Sequence, residues 1–159
     1  MNKVFPFFLV FFLFSFLNLG GEKELTGPLS KEDILENVPD WQELVASYTP
    51  KPEIVEKLKS INKEIQVEIF MGCWCPDCRQ HVSAYFKIME VADNPFISTS
   101  YIGIPREREA RKEFIQGKNI VRIPTFIIYF QNQEIGRIIE TPTKSVEQDL
   151  IDIIEKKLD

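Results

Sequence analysis

All three cysteines of this chain fall inside one short run, Met71-Gly72-Cys73-Trp74-Cys75-Pro76-Asp77-Cys78, placed where a strand pattern gives way to a helix pattern. Ahead of it, Ile65-Gln66-Val67-Glu68-Ile69-Phe70 is rich in β-formers. Behind it, Val82, Tyr85, Phe86 and Met89 recur at helical spacing. Cys75 and Cys78 therefore stand three residues apart in the first turn of a helix. Side chains at i and i+3 share a helix face and can close a disulfide there, while the free N–H groups and positive dipole end of a helix start favour thiolate over thiol. The pair points to redox chemistry.

The pattern around the run sets the fold class. A helix over 53–60 leads into a strand over 65–71, then helix 76–92, strand 97–103, helix 106–116, strand 125–130, strand 134–140 and helix 144–158. The first two strand-to-strand connections run through helices and suit parallel crossovers; Gln131-Asn132-Gln133 has room only for a hairpin. This β-α-β-α-β-β-α order predicts an α/β domain with a four-stranded mixed sheet and helices on both faces. Pro105 before the second core helix, Gly117 after it, and Thr141-Pro142-Thr143 before the last one agree with these boundaries. Arg106 to Glu113 alternates base and acid, which predicts a solvated helix face with pairs such as Glu107 with Arg111.

Two motifs together resemble the thioredoxin superfamily. Trp74-Cys75-Pro76-Asp77-Cys78 is similar to its Trp-Cys-x-x-Cys site, and Val121-Arg122-Ile123-Pro124-Thr125-Phe126 is similar to the loop that carries its cis-proline. The resemblance covers 52–159 and implies a thioredoxin-like fold and a thiol-disulfide oxidoreductase. Cys75, ahead of the helix, is expected to be the exposed nucleophile, and Cys78, one turn inside, the shielded resolving thiol. Trp74, Ile123 and Pro124 are expected to form the surface on which an extended substrate segment adds as a strand. Pro76 fits the first helical position, where its missing N–H costs nothing. Asp77 supports the helix start but, as a charge near a thiolate, is expected to raise the Cys75 pKa and make the pair more reducing.

Two departures from the family pattern stand out. Where thioredoxin has a buried aspartate six residues before its first active cysteine, this chain has Ile69; Glu68 is one residue off and belongs to the opposite face of the strand. The residue before the tryptophan is Cys73, either a passive small side chain or a third redox thiol. With Cys73, Cys75, Cys78 and His81 in one run, a zinc- or copper-binding protein is the alternative from another class. Against it, Cys75 and His81 are separated by about 120° around a helix, so no metal or other cofactor is expected.

The remaining sequence speaks to compartment and partners. Val4 to Leu17 is almost unbroken apolar sequence after the single charge of Lys3, with Gly20 and Gly21 following. Its length is short for a bilayer span and suits a signal peptide over 1–21, with an uncleaved anchor, and hence membrane contact, as the alternative. Residues 22–51 read as an N-terminal helical extension: Ser30-Lys31-Glu32-Asp33 has the form of a helix start, Trp41 is available for burial, and Thr49-Pro50-Lys51-Pro52 breaks the chain. A net charge of −5 and a pI near 5.1 argue against nucleic acid. An exported location is thus expected, with disulfide-bonded proteins as substrates and an unidentified electron donor, because thiols outside the cytoplasm are otherwise oxidised. Reduction is favoured over oxidation, since the periplasmic oxidants typically carry histidine between their cysteines and this pair carries Pro76-Asp77.

Overall fold

A computed structural model describes residues 24–158; the leader segment expected over 1–21 lies outside them. The chain runs β1 (Gly27–Leu29), α1 (Lys31–Asn37), α2 (Asp40–Ser47), α3 (Pro52–Ser60), β2 (Ile65–Met71), α4 (Pro76–Ala92), β3 (Ile97–Gly103), α5 (Lys112–Ile115), β4 (Thr125–Phe130), β5 (Gln133–Ile139) and α6 (Val146–Leu158). The strands form one mixed sheet in the order β1-β3-β2-β4-β5. β2 and β3 are parallel, as a crossover through α4 requires, and every other pairing is antiparallel.

The four expected strands and their order are present, with β1 as a fifth on the outer edge of β3. Three residues carry no periodicity, so this strand could not be read from pattern; its pairing is Gly27 with Gly103, Pro28 with Ile102 and Leu29 with Tyr101. Gly103 has to be glycine there, because a Cβ would lie 2.4 Å from the Leu25 carbonyl oxygen.

Local chemistry accounts for the other boundaries. Ser30 and Asp33 form a reciprocal capping box, the Asp33 N–H donating to Ser30 Oγ at 3.0 Å and the Ser30 N–H to Asp33 Oδ2 at 2.8 Å. Pro52 opens α3, and Asp93, in the left-handed region at φ 42°, closes α4. Gln131 and Asn132, at φ 51° and 61°, make the two-residue turn between β4 and β5.

The second core helix differs from expectation. Helix over 106–116 is reduced to the single turn α5, and 106–111 is a string of bends and turns. The Arg111 side chain explains this: its Nε donates to the Pro105 carbonyl at 2.9 Å and its Nη2 to the Arg106 carbonyl at 2.6 Å, which folds the segment back on itself. Glu107 instead accepts the Ala110 N–H at 3.0 Å, so the expected Glu107–Arg111 helix pair does not order a helix face.

Period-two alternation along β2 splits the core. Ile65, Val67, Ile69 and Met71 join α2, α3, α4 and α6 on one face, with Trp41, Leu58, Tyr85, Phe86 and Ile154 fully or almost fully buried. Phe70, on the other face, belongs to a small cluster with Ile104 and Ile127, covered by Phe114 and Ile115 of α5. Trp41 fills the role expected of it, wholly buried with its ring 6.4 Å from Phe86. Tyr48, at the end of α2, donates to Glu147 Oε2 of α6 at 2.7 Å, which ties the segment before α3 to the last helix.

Candidate active site

The two thiols of interest sit at the C-terminal end of β2, where the chain enters α4. Cys75 is itself the N-cap residue of that helix: its backbone is extended (φ −93°, ψ 123°) and its sulfur accepts the Cys78 N–H at 3.4 Å. Pro76 occupies the first helical position, as the sequence predicts. Cys78 is fully buried, and its sulfur accepts the Gly72 N–H at 3.4 Å. Sulfur thus stands where a capping oxygen usually does, against the free N–H groups of a helix start.

Those groups set the thiols apart. Cys75 is lowered from 9.0 to about 6, first by the Cys78 thiol donating to it, against the opposing effect of burial, and then by the N–H groups of Cys78 and Asp77. Asp77 does raise the Cys75 pKa as expected, but it is the last of the influences, and the sum runs the other way. Burial is the main force on Cys78 and, together with its role as donor to Cys75, holds it far above the ordinary thiol range. Burial alone raises Cys73 to about 11, which keeps it a thiol at neutral pH. His81 is pushed down by burial, with Asp77 pulling the other way.

Cys75 is not the exposed residue its position suggests. It is 6% exposed, because the loop before β4 folds over it and brings the Ile123 carbonyl oxygen to 3.7 Å from its sulfur. The Ile123–Pro124 peptide bond is cis. Cysteine pair and Ile-Pro loop, 48 residues apart in sequence, are therefore adjacent in space, and Trp74 flanks them with its Nε1 donating to the Ile104 carbonyl at 3.1 Å. Gly72 makes that indole position possible, since a Cβ there would lie 2.6 Å from the ring.

Cys73 points elsewhere. It lines a separate cleft with Val38, Trp74 and Arg106, whereas the Cys75 and Cys78 sulfurs are turned toward the helix start and each other. Among the described residues, no three Cys, His, Asp or Glu side chains converge as metal ligands, so the Cys73, Cys75, Cys78 and His81 set does not assemble. Glu68, on the opposite face as its register requires, binds Lys118 Nζ at 2.5 Å and Tyr129 Oη at 3.1 Å and does not approach Cys78.

Sequence reasoning missed two residues. The guanidinium carbons of Arg106 and Arg111 lie 5.5 and 4.9 Å from the centre of the Trp74 ring. The alternation of charge over 106–113 gave a signal, but it suggested a helix in solvent rather than a loop folded onto an indole.

A mixed sheet with parallel β2 and β3, a cysteine pair capping the helix that follows β2, and a cis X-Pro bond beside them define a thioredoxin-fold protein with a thiol site. The family model described as Thioredoxin matches residues 30–152, and the chain belongs to that family. No curated protein matches the chain. Among solved structures, it is similar to a protein of unknown function, PA1234, from Pseudomonas aeruginosa, with 18% identity, a TM-score of 0.58, and 78% of this chain and 85% of that one covered. An HIV 4E10 epitope scaffold matches at 18% identity and a TM-score of 0.58, with 77% and 85% covered. These likenesses concern the fold, and family membership carries a thiol redox role in general.

Proposed function

We propose that this protein is an exported thiol-disulfide oxidoreductase that reduces protein disulfides through Cys75 and Cys78. The observation that carries the reading is the asymmetry of the pair: one sulfur lowered to about 6 at the helix cap, its partner one turn inside, buried and neutral. At neutral pH Cys75 is then largely thiolate, the nucleophilic form, and Cys78 is held in reserve.

The Cys75 thiolate attacks one sulfur of a substrate disulfide. A Cys75–substrate bond forms, the substrate S–S bond breaks, and the leaving thiolate takes a proton from water. Cys78 gives up its proton and attacks the Cys75 sulfur, which releases the second substrate sulfur as thiolate and leaves a Cys75–Cys78 disulfide. Two electrons have passed to the substrate, and an electron donor of the dithiol class restores the pair. An extended substrate segment adjoins the backbone of Ile123 and Pro124, with Trp74 alongside. With Ile69 on the Cys78 face and Glu68 engaged on the other, no β2 carboxylate takes the Cys78 proton.

The direction is read from the residues between the cysteines: Pro76-Asp77 lacks the histidine typical of the periplasmic oxidants. The expected potential is accordingly nearer roughly −270 than −120 mV. The lowered Cys75 pKa acts the other way, since it stabilises the reduced pair. Export rests on the apolar run Val4 to Leu17, and intact-mass measurement of the protein recovered from an exporting cell distinguishes a leader cut near Gly20 from a retained anchor.

The deciding experiment is a trap. Cys78→Ser should accumulate mixed disulfides with natural partners, Cys75→Ser almost none, and titration against glutathione should give a reducing potential. Trapping by Cys75→Ser instead, or a strongly oxidising potential, would overturn the roles or the direction.

A further inference from the structure

We propose that the cleft lined by Trp74, the neighbour of Cys75 in the chain, selects substrates whose cysteine is flanked by acidic residues, with Arg106 as the specificity-determining side chain. This rests on the dithiol reading above and names the substrate class for it.

The cleft, of about 330 Å³, is walled by Leu25, Val38, Cys73, Trp74, Glu24 and Arg106. Its apolar wall is Trp74 with Leu25 and Val38, and its one cation is Arg106, which together with Arg111 lies over the indole. Arg111 has its guanidinium tied to the carbonyls of Pro105 and Arg106, so it is a fixed charge and a support. Among the described residues Arg106 has no carboxylate partner for its guanidinium, although its backbone N–H is held by Glu24 Oε1 at 3.1 Å. In this chain of net charge −5 the cleft holds one guanidinium, Arg106, and one carboxylate, Glu24, whose oxygen is engaged by a backbone N–H and not by the guanidinium.

The other nearby carboxylates are turned away. Asp77 acts on Cys75, Cys78 and His81, and does not line the cleft. Glu107 is bound to the Ala110 N–H. A peptide lying against Trp74, with its cysteine at Cys75, would bring a flanking side chain to Arg106. An acidic one meets an exposed guanidinium held over the indole; a basic one meets repulsion. Tethering by the stacked indole lowers the entropy lost when Arg106 is engaged, which favours specificity at this position over a freely moving surface arginine.

The test uses the full chain and two homodimeric peptide disulfides that differ only in having Glu or Lys on both sides of the cysteine. Wild type should reduce the Glu peptide with a kcat/KM about tenfold higher than the Lys peptide, mostly through KM, and the ratio should shrink as salt is raised. Arg106→Gln should remove most of the preference, Arg106→Lys should keep it, and Arg106→Glu should reverse it. Equal reduction of the two peptides by wild type, or a preference that survives Arg106→Glu, would overturn this inference while leaving the dithiol reading intact, provided the reduction still needs Cys75. Reduction of neither peptide would overturn both.

Discussion

The two faces of the sheet are built on different principles. One is covered by α2, α3, α4 and α6 over a continuous apolar cluster that runs from Trp41 through Phe86 to Ile154. The other has one helical turn over Phe70, Ile104 and Ile127, and beside it an open polar strip where Glu68, Lys118 and Tyr129 bind one another among Ser98, Ser100 and Asn132. The reactive sulfurs of Cys75 and Cys78 belong to the first cluster. Arg106 and Arg111, which flank Trp74, come from the lightly covered segment before α5. The covered face buries the two sulfurs, and the irregular one carries the arginines beside Trp74.

The largest effect should come from opening the covered face. Phe86 is 1% exposed and packs edge-on against Tyr101 at 5.2 Å as well as against Trp41. Phe86→Ala should cost about 3–5 kcal/mol of stability in urea unfolding. A loss below 1 kcal/mol would mean that this face is not the stabilising one.

Next is the thiol that the covered face holds in place. Removing the Cys78 donor in Cys78→Ala should move the midpoint of Cys75 alkylation upward from about 6, because the interaction that most favours the thiolate is gone. Its sign in stability is fixed too. A thiol whose folded pKa is depressed adds stability to the reduced protein as pH rises above about 6, fully so above the ordinary thiol value, and that contribution fades as pH falls through about 6. An unmoved midpoint would transfer the effect from Cys78 to the helix N–H groups.

On the lightly covered face, Phe114 is only half-buried. Phe114→Ala should cost about 1–2 kcal/mol, below the Phe86 value. Equal losses would erase the distinction between the faces. Smallest of all is Glu68→Gln. The Lys118–Glu68 pair is partly exposed, with the two side chains 37% and 20% accessible, so the change in unfolding free energy should stay under about 1 kcal/mol. Activity should also hold, since Glu68 faces away from Cys78; a fall in insulin reduction would bring that carboxylate into the proton path.

How much of this was legible in the sequence varies with range. The Ser30 cap, the α4 start at Pro76, the β4–β5 turn and the juxtaposition of cysteine pair with Ile-Pro loop all rest on local patterns or a motif, and the structure has them. β1 did not show because its pairing is entirely backbone to backbone with a strand seventy-odd residues on. Helix over 106–111 failed because alternating charge is read as a helix face, while the Arg111 side chain spends its donors on two nearby carbonyls. The covering of Cys75 and the stacking on Trp74 are contacts across the fold, invisible to any window along the chain. Asp77 was given the right sign and too much weight, since the competing sulfur and N–H donors appear only when the turn is built.

β1 has a consequence for how this chain keeps to itself. An uncovered β3 would offer a row of N–H and C=O groups to any passing strand; β1 occupies that edge with three residues, one of them Pro28, which has no N–H to extend the ladder. At the opposite margin, β5 carries Glu134 and Arg137, bound to each other at 2.6 Å, so an incoming strand would have to break or bury a charge pair. The two margins where strands could otherwise add without selection are thus both blunted.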